Sequence, residues 1–541
     1  MSAEKIIETD VLIIGGGIAG CFASIKAKEQ GVEVVMVDKG SVGRSGATPF
    51  GRGIMVFNPD WGHDLNVCMD RINKVAEYIN NREWGEIIFK ESYERYQELI
   101  SWGVEFEKDN NDKLITKSNG PGHSEALNLP YGKLAPLLRK QVENSSVTIV
   151  DRVMITDLVR QEEKIVGAVG FSLDNNKLYF FKAKATVICA GTSSFKPFAF
   201  PISDLTGDGA AMAYRAGAEI TGKEFNFTTR TTAKNPAAWV SRTRSQRVPS
   251  SVMHPPRFKN AEGDELPERP GVFFLNMEFE THAGRAPIYS ETADGKRTEM
   301  LGGAASGASV HMSEGIWPVN TQGATGLLGL YAAGESCGIM LAGSVYPGGG
   351  LALSAAGTTG ARAGLSAARY ADITDKSTVD EGEIKRLKLI AQSPLERSGG
   401  FSPRWVTQVL QNTVIPYFIL FIKHEDRMKS ALTTVSFIRD HLVPKLLAKD
   451  LHELRLAHET KNMVLNAEMK LKASLFRKES RGTHYREDYT QRDDPDWLAW
   501  VLLKKIEGEM KVFKKPVPQE WWPDFSIPYM ERYAARFPGE A

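Results

Sequence analysis

Hydrophobic and polar positions change rhythm several times along the chain, and each change predicts a different element. Asp10-Val11-Leu12-Ile13-Ile14 is a short apolar run, the pattern of a strand buried on both faces. Residues 21–30 predict a helix, Gly31 a stop, and residues 32–37 a second strand that ends at Asp38. A helical region follows to about Trp102. Residues 147–159, 164–171 and 178–190 read as a β-meander, and residues 210–216 as a helix stopped by Gly217. From about Glu224 to Ser306 the chain is turn-rich. Residues 329–335 restore a strand-and-turn pattern, and Tyr346-Pro347-Gly348-Gly349-Gly350 opens an Ala-rich helix to about Tyr370. From Ile373 to Arg477 apolar residues recur three and four apart, as at Val443, Leu446, Leu447, Leu451 and Leu454. The remainder is charged, then rich in Pro and Trp, with no internal repeat.

Composition narrows the class. A chain of 541 residues has room for two to four domains. Its 67 Lys and Arg balance 66 Asp and Glu, so no global field draws it to nucleic acid. The longest apolar run, residues 414–422, is about half of a membrane-spanning helix and contains Pro416. Residues 1–10 are charged and carry no signal-peptide core. Cys21, Cys68, Cys189 and Cys337 are scattered without a C-x-x-C, which offers neither an iron–sulfur or other metal motif nor a disulfide framework. The expectation is a cytoplasmic protein without a membrane span.

Between the first two strands lies Gly15-Gly16-Gly17-Ile18-Ala19-Gly20, a G-x-G-x-x-G turn opening a helix. Gly15 permits the tight turn, Gly17 lets backbone approach a pyrophosphate, and Gly20 allows close helix–strand packing. The helix N-terminus offers free N–H groups to phosphate, and Asp38 can accept from ribose hydroxyls. In this setting the motif predicts a dinucleotide site.

Taken with four further blocks, this turn resembles the fumarate reductase/succinate dehydrogenase flavoprotein superfamily, which includes L-aspartate oxidase, the adenylylsulfate reductase α subunit and the 3-ketosteroid dehydrogenases. The blocks are Ser45-Gly46-Ala47, Thr206-Gly207-Asp208-Gly209, residues 329–335, and Glu479-Ser480-Arg481-Gly482 running to Arg492-Asp493-Asp494. The resemblance implies an α/β fold: a Rossmann-like FAD-binding domain in two pieces (1–223 and 307–372), an α+β capping domain between them (224–306), a helical domain (373–480) and a tail (481–541). It implies cofactor contacts at Gly15, Gly17, Ala19, Gly20, Asp38, Lys39, Ser45, Gly46, Ala47, Ala190, Gly191, Thr206, Asp208, Glu335, Gly349, Gly350 and Leu351. Where membrane-bound relatives attach flavin to a histidine after a serine, Ser45 is followed by Gly46, so FAD is expected to be non-covalent. The family's substrate histidine after Glu224-Phe225 is missing, and its later arginine is replaced by Tyr346 in a form similar to the ketosteroid dehydrogenases. Succinate and fumarate are therefore not the expected substrates.

Flavin chemistry needs donors near the flavin's N1 edge, a clamp on the substrate, and a proton donor or acceptor. Gly348 to Gly350, opening a helix, suit the first need. For the clamp, Arg230, Lys234, Arg242, Arg244, Arg247, Arg257 and Lys259 form a run without an acidic residue, with Arg230 the single choice. His311, at a family active-site position, and Tyr346 are the proton-transfer candidates, with His254 in reserve. The expected reaction adds or removes hydrogen across a C–C bond beside a carbonyl or carboxylate. Sulfur or nitrogen chemistry and a non-catalytic electron-transfer role are the alternatives. With no cysteine cluster here, the other redox centre lies on a partner or is a diffusing nicotinamide, quinone or O₂. The resemblance implies an iron–sulfur subunit, for which Trp521, Trp522 and Phe525 in the tail are candidate anchors, the alternative being that this tail packs onto its own chain.

Overall fold

A computed structural model describes residues 4–175, 177–197, 202–227, 257–266, 275–291, 295, 297–300, 308–375, 379–533 and 536–540. Its central sheet grows outward from β1 (Glu4–Ile14). After β1 come α1 (Ile18–Lys28) and β2 (Val34–Val37), then β3 (Thr148–Val150), β4 (Val153–Gln161), β5 (Lys164–Ser172) and β6 (Leu178–Ile188). The strand order is β3-β2-β1-β6-β5-β4. One half of β6 pairs antiparallel with β5, while its last residues pair parallel with β7 (Leu330–Ala332), so the two sequence pieces share one sheet.

The buried run of β1 serves both faces because alternate side chains point to opposite sides. Val11 and Ile13 enter the core beneath α1, and Leu12 and Ile14 enter the core on the other face. Further along lie α2 (Asp208–Ala216) and α3 (Leu351–Asp372). The small-residue composition of α3 has a steric cause: a Cβ on Gly364 would lie 2.1 Å from the Ala23 carbonyl oxygen of α1. Any larger residue there separates the two helices.

Beyond the sheet, strands Arg257–Lys259, Ile288–Glu291 and Arg297–Met300 form a small antiparallel sheet beside helix Asn276–His282. Helices Glu381–Glu396, Pro403–Val414 and Glu425–Phe437 precede the long α4 (Leu451–Phe476). Among the described residues no helix is long and apolar enough to cross a membrane, and no group of His, Cys, Asp and Glu is placed to hold a metal.

Several expected boundaries move. β1 begins at Glu4 rather than at Asp10, because its charged residues pair along β6 from Glu4 opposite Leu178. The run from Val443 to Leu454 is not one helix: Val443–Lys445 closes one turn, and α4 starts afresh where Asp450 accepts from the Glu453 N–H at 2.8 Å. The charged C-terminal region contains a β-hairpin, Ala499–Ile506 with Glu509–Pro516, that periodicity does not reveal. The tryptophans after it pack onto their own chain: Trp521 meets the Trp500 ring at 6.3 Å, and Trp522 Nε1 donates to the Val517 carbonyl at 3.0 Å. Phe525 remains partly exposed.

Candidate functional site

The parallel strands end level with one another. Ile14 lies opposite Val37 and Ile188, and Ile188 opposite Ala332. The four loops that follow therefore open at one sheet edge, the place where open α/β sheets bind ligands. They surround a cavity of about 510 Å³ lined by Gly15, Gly17, Ala19, Asp38, Lys39, Ser45, Gly46, Ala47, Ala190, Gly191, Asp208, Glu335, Gly349 and Gly350. His311 and Tyr346 line the same cavity. The sheet edge thus gathers residues up to some 330 positions apart in the sequence.

Three predicted contacts sit behind the wall instead. A Cβ on Gly20 would fall 1.9 Å from the Gly15 carbonyl oxygen, so Gly20 permits the turn without lining the cavity. Leu351 faces the hydrophobic core. Thr206 is buried and hydrogen-bonded to Asp208 and Lys39. Arg230, Lys234, Arg242, Arg244, Arg247 and His254 lie outside the described residues; Lys259 pairs with Glu291 at 3.0 Å.

Asp38 organises the turn. Its carboxylate accepts from the N–H groups of Gly16 and Gly40, each at 2.7 Å, and from Ser45 Oγ at 2.8 Å. Thr48, which motif spacing does not single out, accepts from the Ile18 N–H at 3.0 Å. The N–H groups of Gly17 and Ala19 find no acceptor among the described residues, leaving donors at the positive end of α1.

Lys39 joins the cavity to the helical region. It donates to Asp208 at 2.7 Å and to Glu459 on α4 at 2.9 Å. Burial alone would raise the Glu459 carboxyl, but Lys39, Lys196 and Arg455 outweigh it and hold the group down to about 2. A second buried cluster supports the turn carrying His311. There Glu314 accepts from Lys470 at 2.6 Å and from Ser193 at 2.7 Å, and pairs with Lys223. Burial pushes the Lys223 ammonium down to about 8 despite Glu314.

His311 and Tyr346 stand on the opposite wall. His311 Nδ1 contacts Glu335, and its side chain is 30% exposed into the cavity. Burial opposes the charged imidazolium, but the Glu335 carboxylate prevails and raises the His311 pKa. The Tyr346 ring meets His311 edge-on at 4.7 Å, and Phe227 completes the group at 5.1 Å from His311. Tyr346 Oη accepts from the Ala352 N–H in the first turn of α3 at 3.2 Å. Burial raises its phenol to about 12, with the Ala352 N–H opposing, so the hydroxyl keeps its proton at neutral pH. Neither His311 Nε2 nor the Tyr346 proton has a partner among the described residues, leaving two donors on one wall. Phe227, read in the sequence only as part of a segment lacking a histidine, proves to be their neighbour.

The signature from Glu479 to Asp494 is spent elsewhere. Arg481 grips Glu479 through two nitrogens at 2.7 and 2.8 Å and reaches Asp494 at 2.7 Å, while Arg492 pairs with Glu77 at 2.6 Å. These forks are buried and clamp the C-terminal segment against the residues before Arg82.

Comparison with known proteins decides the family. Residues 10–246 match the FAD binding domain family, and residues 409–533 match the fumarate reductase flavoprotein C-terminal family. The chain belongs to the fumarate reductase/succinate dehydrogenase flavoprotein superfamily. It is an FAD-dependent oxidoreductase. One subunit of the fumarate reductase (CoM/CoB) of Methanothermobacter marburgensis is 25% identical over 94% of this chain and 99% of its own length. Two solved structures share the fold. Adenylylsulfate reductase of Archaeoglobus fulgidus gives a TM-score of 0.80 at 21% identity, covering 97% and 98% of the two chains. The Sdh1 complex of Mycobacterium smegmatis gives 0.82 at 23% identity, covering 98% of each.

The flavoprotein's own residues fit FAD. The unpartnered N–H groups of Gly17 and Ala19 match a diphosphate, and Asp38 lies beside them for a ribose. Gly348 and Gly349 have positive φ, and nothing lies within 4 Å of where a Cβ would be, leaving backbone open to a flat ring. Gly46 lines the cavity at φ +73° and has no nucleophilic atom to join to flavin.

Proposed function

We propose that this flavoprotein adds or removes hydrogen across a C–C bond next to a carbonyl or carboxylate. The reading is carried by the two unpartnered donors, His311 Nε2 and the Tyr346 hydroxyl, on one cavity wall. Bound FAD supplies a two-electron carrier that exchanges hydride with carbon. In the reducing direction, Tyr346 donates a hydrogen bond to the substrate oxygen and so polarises the double bond. His311, its charged form favoured by Glu335, delivers the proton to the other carbon; in the oxidising direction neutral His311 receives it. Phe227 keeps water from the same wall.

Arg230 and the basic run around it hold the substrate's anionic group, within a capping domain of residues 224–306. Tyr346 standing where relatives have an arginine disfavours a second carboxylate, so fumarate and succinate are poor substrates. FAD is held without a covalent bond. Electrons reach the flavoprotein through an iron–sulfur partner, a reading supported by its likeness to a relative named as one subunit of a fumarate reductase.

Anaerobic mixing of reduced, FAD-loaded protein with unsaturated compounds tests the reaction class. An α,β-unsaturated ketone or monocarboxylate is expected to restore oxidised-flavin absorbance faster than fumarate does. Reoxidation by adenylyl sulfate or an imine alone would assign the chemistry to sulfur or nitrogen.

A further inference from the structure

A second cavity, of about 420 Å³, lies between β4, α2, helix Glu381–Glu396 and α4. Met212 lines both this cavity and the dinucleotide cavity, so the two share a side chain. Its size is that of a small-molecule site rather than a bare ion.

The cations around it divide into two groups. Each arginine has a carboxylate: Arg215 with Asp157 at 2.7 Å, Arg386 with Glu383 at 2.7 Å, and Arg160 with the nearby Glu163 at 2.5 Å. Arg215 is further fixed by Asn462 at 2.8 Å and the Thr156 carbonyl at 2.6 Å. Lys461 and Lys505 also line the cavity, and neither ammonium group has a hydrogen bond or ion pair among the described residues. Burial and the neighbouring Arg215 push the Lys461 ammonium down to about 8, with Asp157 only partly offsetting them. On the same wall Asp157, 7% exposed, has an oxygen, Oδ2, that receives no donor. Leu158, Leu387 and Ile390 supply an apolar side.

We infer that this cavity binds a small hydroxylated organic phosphate, its dianion at Lys461 and Lys505 and a hydroxyl donating to Asp157. Two unpaired ammonium groups match a dianion in charge, and lysine serves phosphate as a point charge. An unsatisfied buried carboxylate oxygen needs a donor, and an alcohol hydroxyl set some bonds away from the phosphate supplies one while the dianion stays at the lysines; inorganic phosphate carries its O–H and its charge on a single centre. The ligand would pack against Met212, the side chain shared with the dinucleotide cavity.

Calorimetric titration of FAD-loaded protein with glycerol 3-phosphate near neutral pH provides the test. One saturable site is expected, with affinity reduced about tenfold or more in Lys461→Met and retained in Lys461→Arg. The same ligand should raise the thermal midpoint of the unsubstituted protein but not that of Lys461→Met. Unchanged flavin content and ligand-free midpoint in Lys461→Met show that its fold is intact, and Lys505→Met gives a second variant at the exposed end of the site. No saturable heat, or equal affinity in Lys461→Met and unsubstituted protein, would overturn the inference. Inorganic phosphate binding as tightly as glycerol 3-phosphate would overturn the hydroxyl contact at Asp157.

Discussion

Replacing His311 with Asn is expected to slow reoxidation of the reduced flavoprotein by an unsaturated substrate about 10²–10⁴-fold, the usual worth of one positioned acid. Asparagine keeps a polar group of similar size but cannot carry a transferable proton. Because His311 approaches the cavity from the turn held by Glu314 and Lys470, not from the glycine-rich phosphate turn, flavin content should stay near that of the unsubstituted protein. Tyr346→Phe removes one hydroxyl and leaves the ring against His311 and Phe227. It should slow the same step over a similar range, with a separate cost of about 1 kcal/mol in stability as the Ala352 N–H loses its acceptor. Flavin loss in both variants would make the two residues structural. Full rates with flavin retained would move the proton donor elsewhere, with His254 next to test.

Gly20→Val should abolish FAD binding. The added Cβ alone would lie 1.9 Å from the Gly15 carbonyl oxygen and 3.4 Å from Ile13, and neither backbone nor a central strand can give way. The turn must then shift, and with it the N–H groups of Gly17 and Ala19. Gly326→Ala is the matching control, since nothing lies within 4 Å of its new methyl group. Acid precipitation reads both outcomes. Unsubstituted protein and Gly326→Ala should release yellow flavin into the supernatant, as expected when Gly46 offers no attachment atom. Gly20→Val should release none. Flavin retained in the pellet would contradict non-covalent binding, and a flavin-loaded Gly20→Val would contradict the role given to the turn.

The parts legible in the sequence are those where one local rule has one structural outcome. Gly15 to Gly20 between two strands reads as a phosphate-binding turn, and Asp38 at the end of the second strand lies beside it. Gly348 to Gly350 likewise announce a helix N-terminus at the cavity. Thr48 is harder to find, because a threonine among small residues carries no periodic signal. Glu335 is expected at the cofactor; that it faces His311 depends on the level ends of β6 and β7, a register no local pattern encodes. The C-terminal hairpin escapes the periodicity because its second strand, Glu509–Pro516, is largely exposed and rich in lysine. Leu351 departs from its expected place for a geometric reason: the backbone before it reaches the cavity, but its side chain turns into the core.

The pH dependence of the half-reaction tests the acid on the cavity wall most directly. His311 must be protonated to act as a donor, and Glu335 raises its pKa above the ordinary histidine value. The rate per bound flavin should therefore hold at low pH and fall as pH rises through the His311 pKa. Glu335→Gln removes the carboxylate charge and leaves burial to act alone, so the fall should move to lower pH. In His311→Asn the step should vanish from the profile. A falling limb unmoved by Glu335→Gln and still present in His311→Asn would contradict the assignment of His311 as the proton donor.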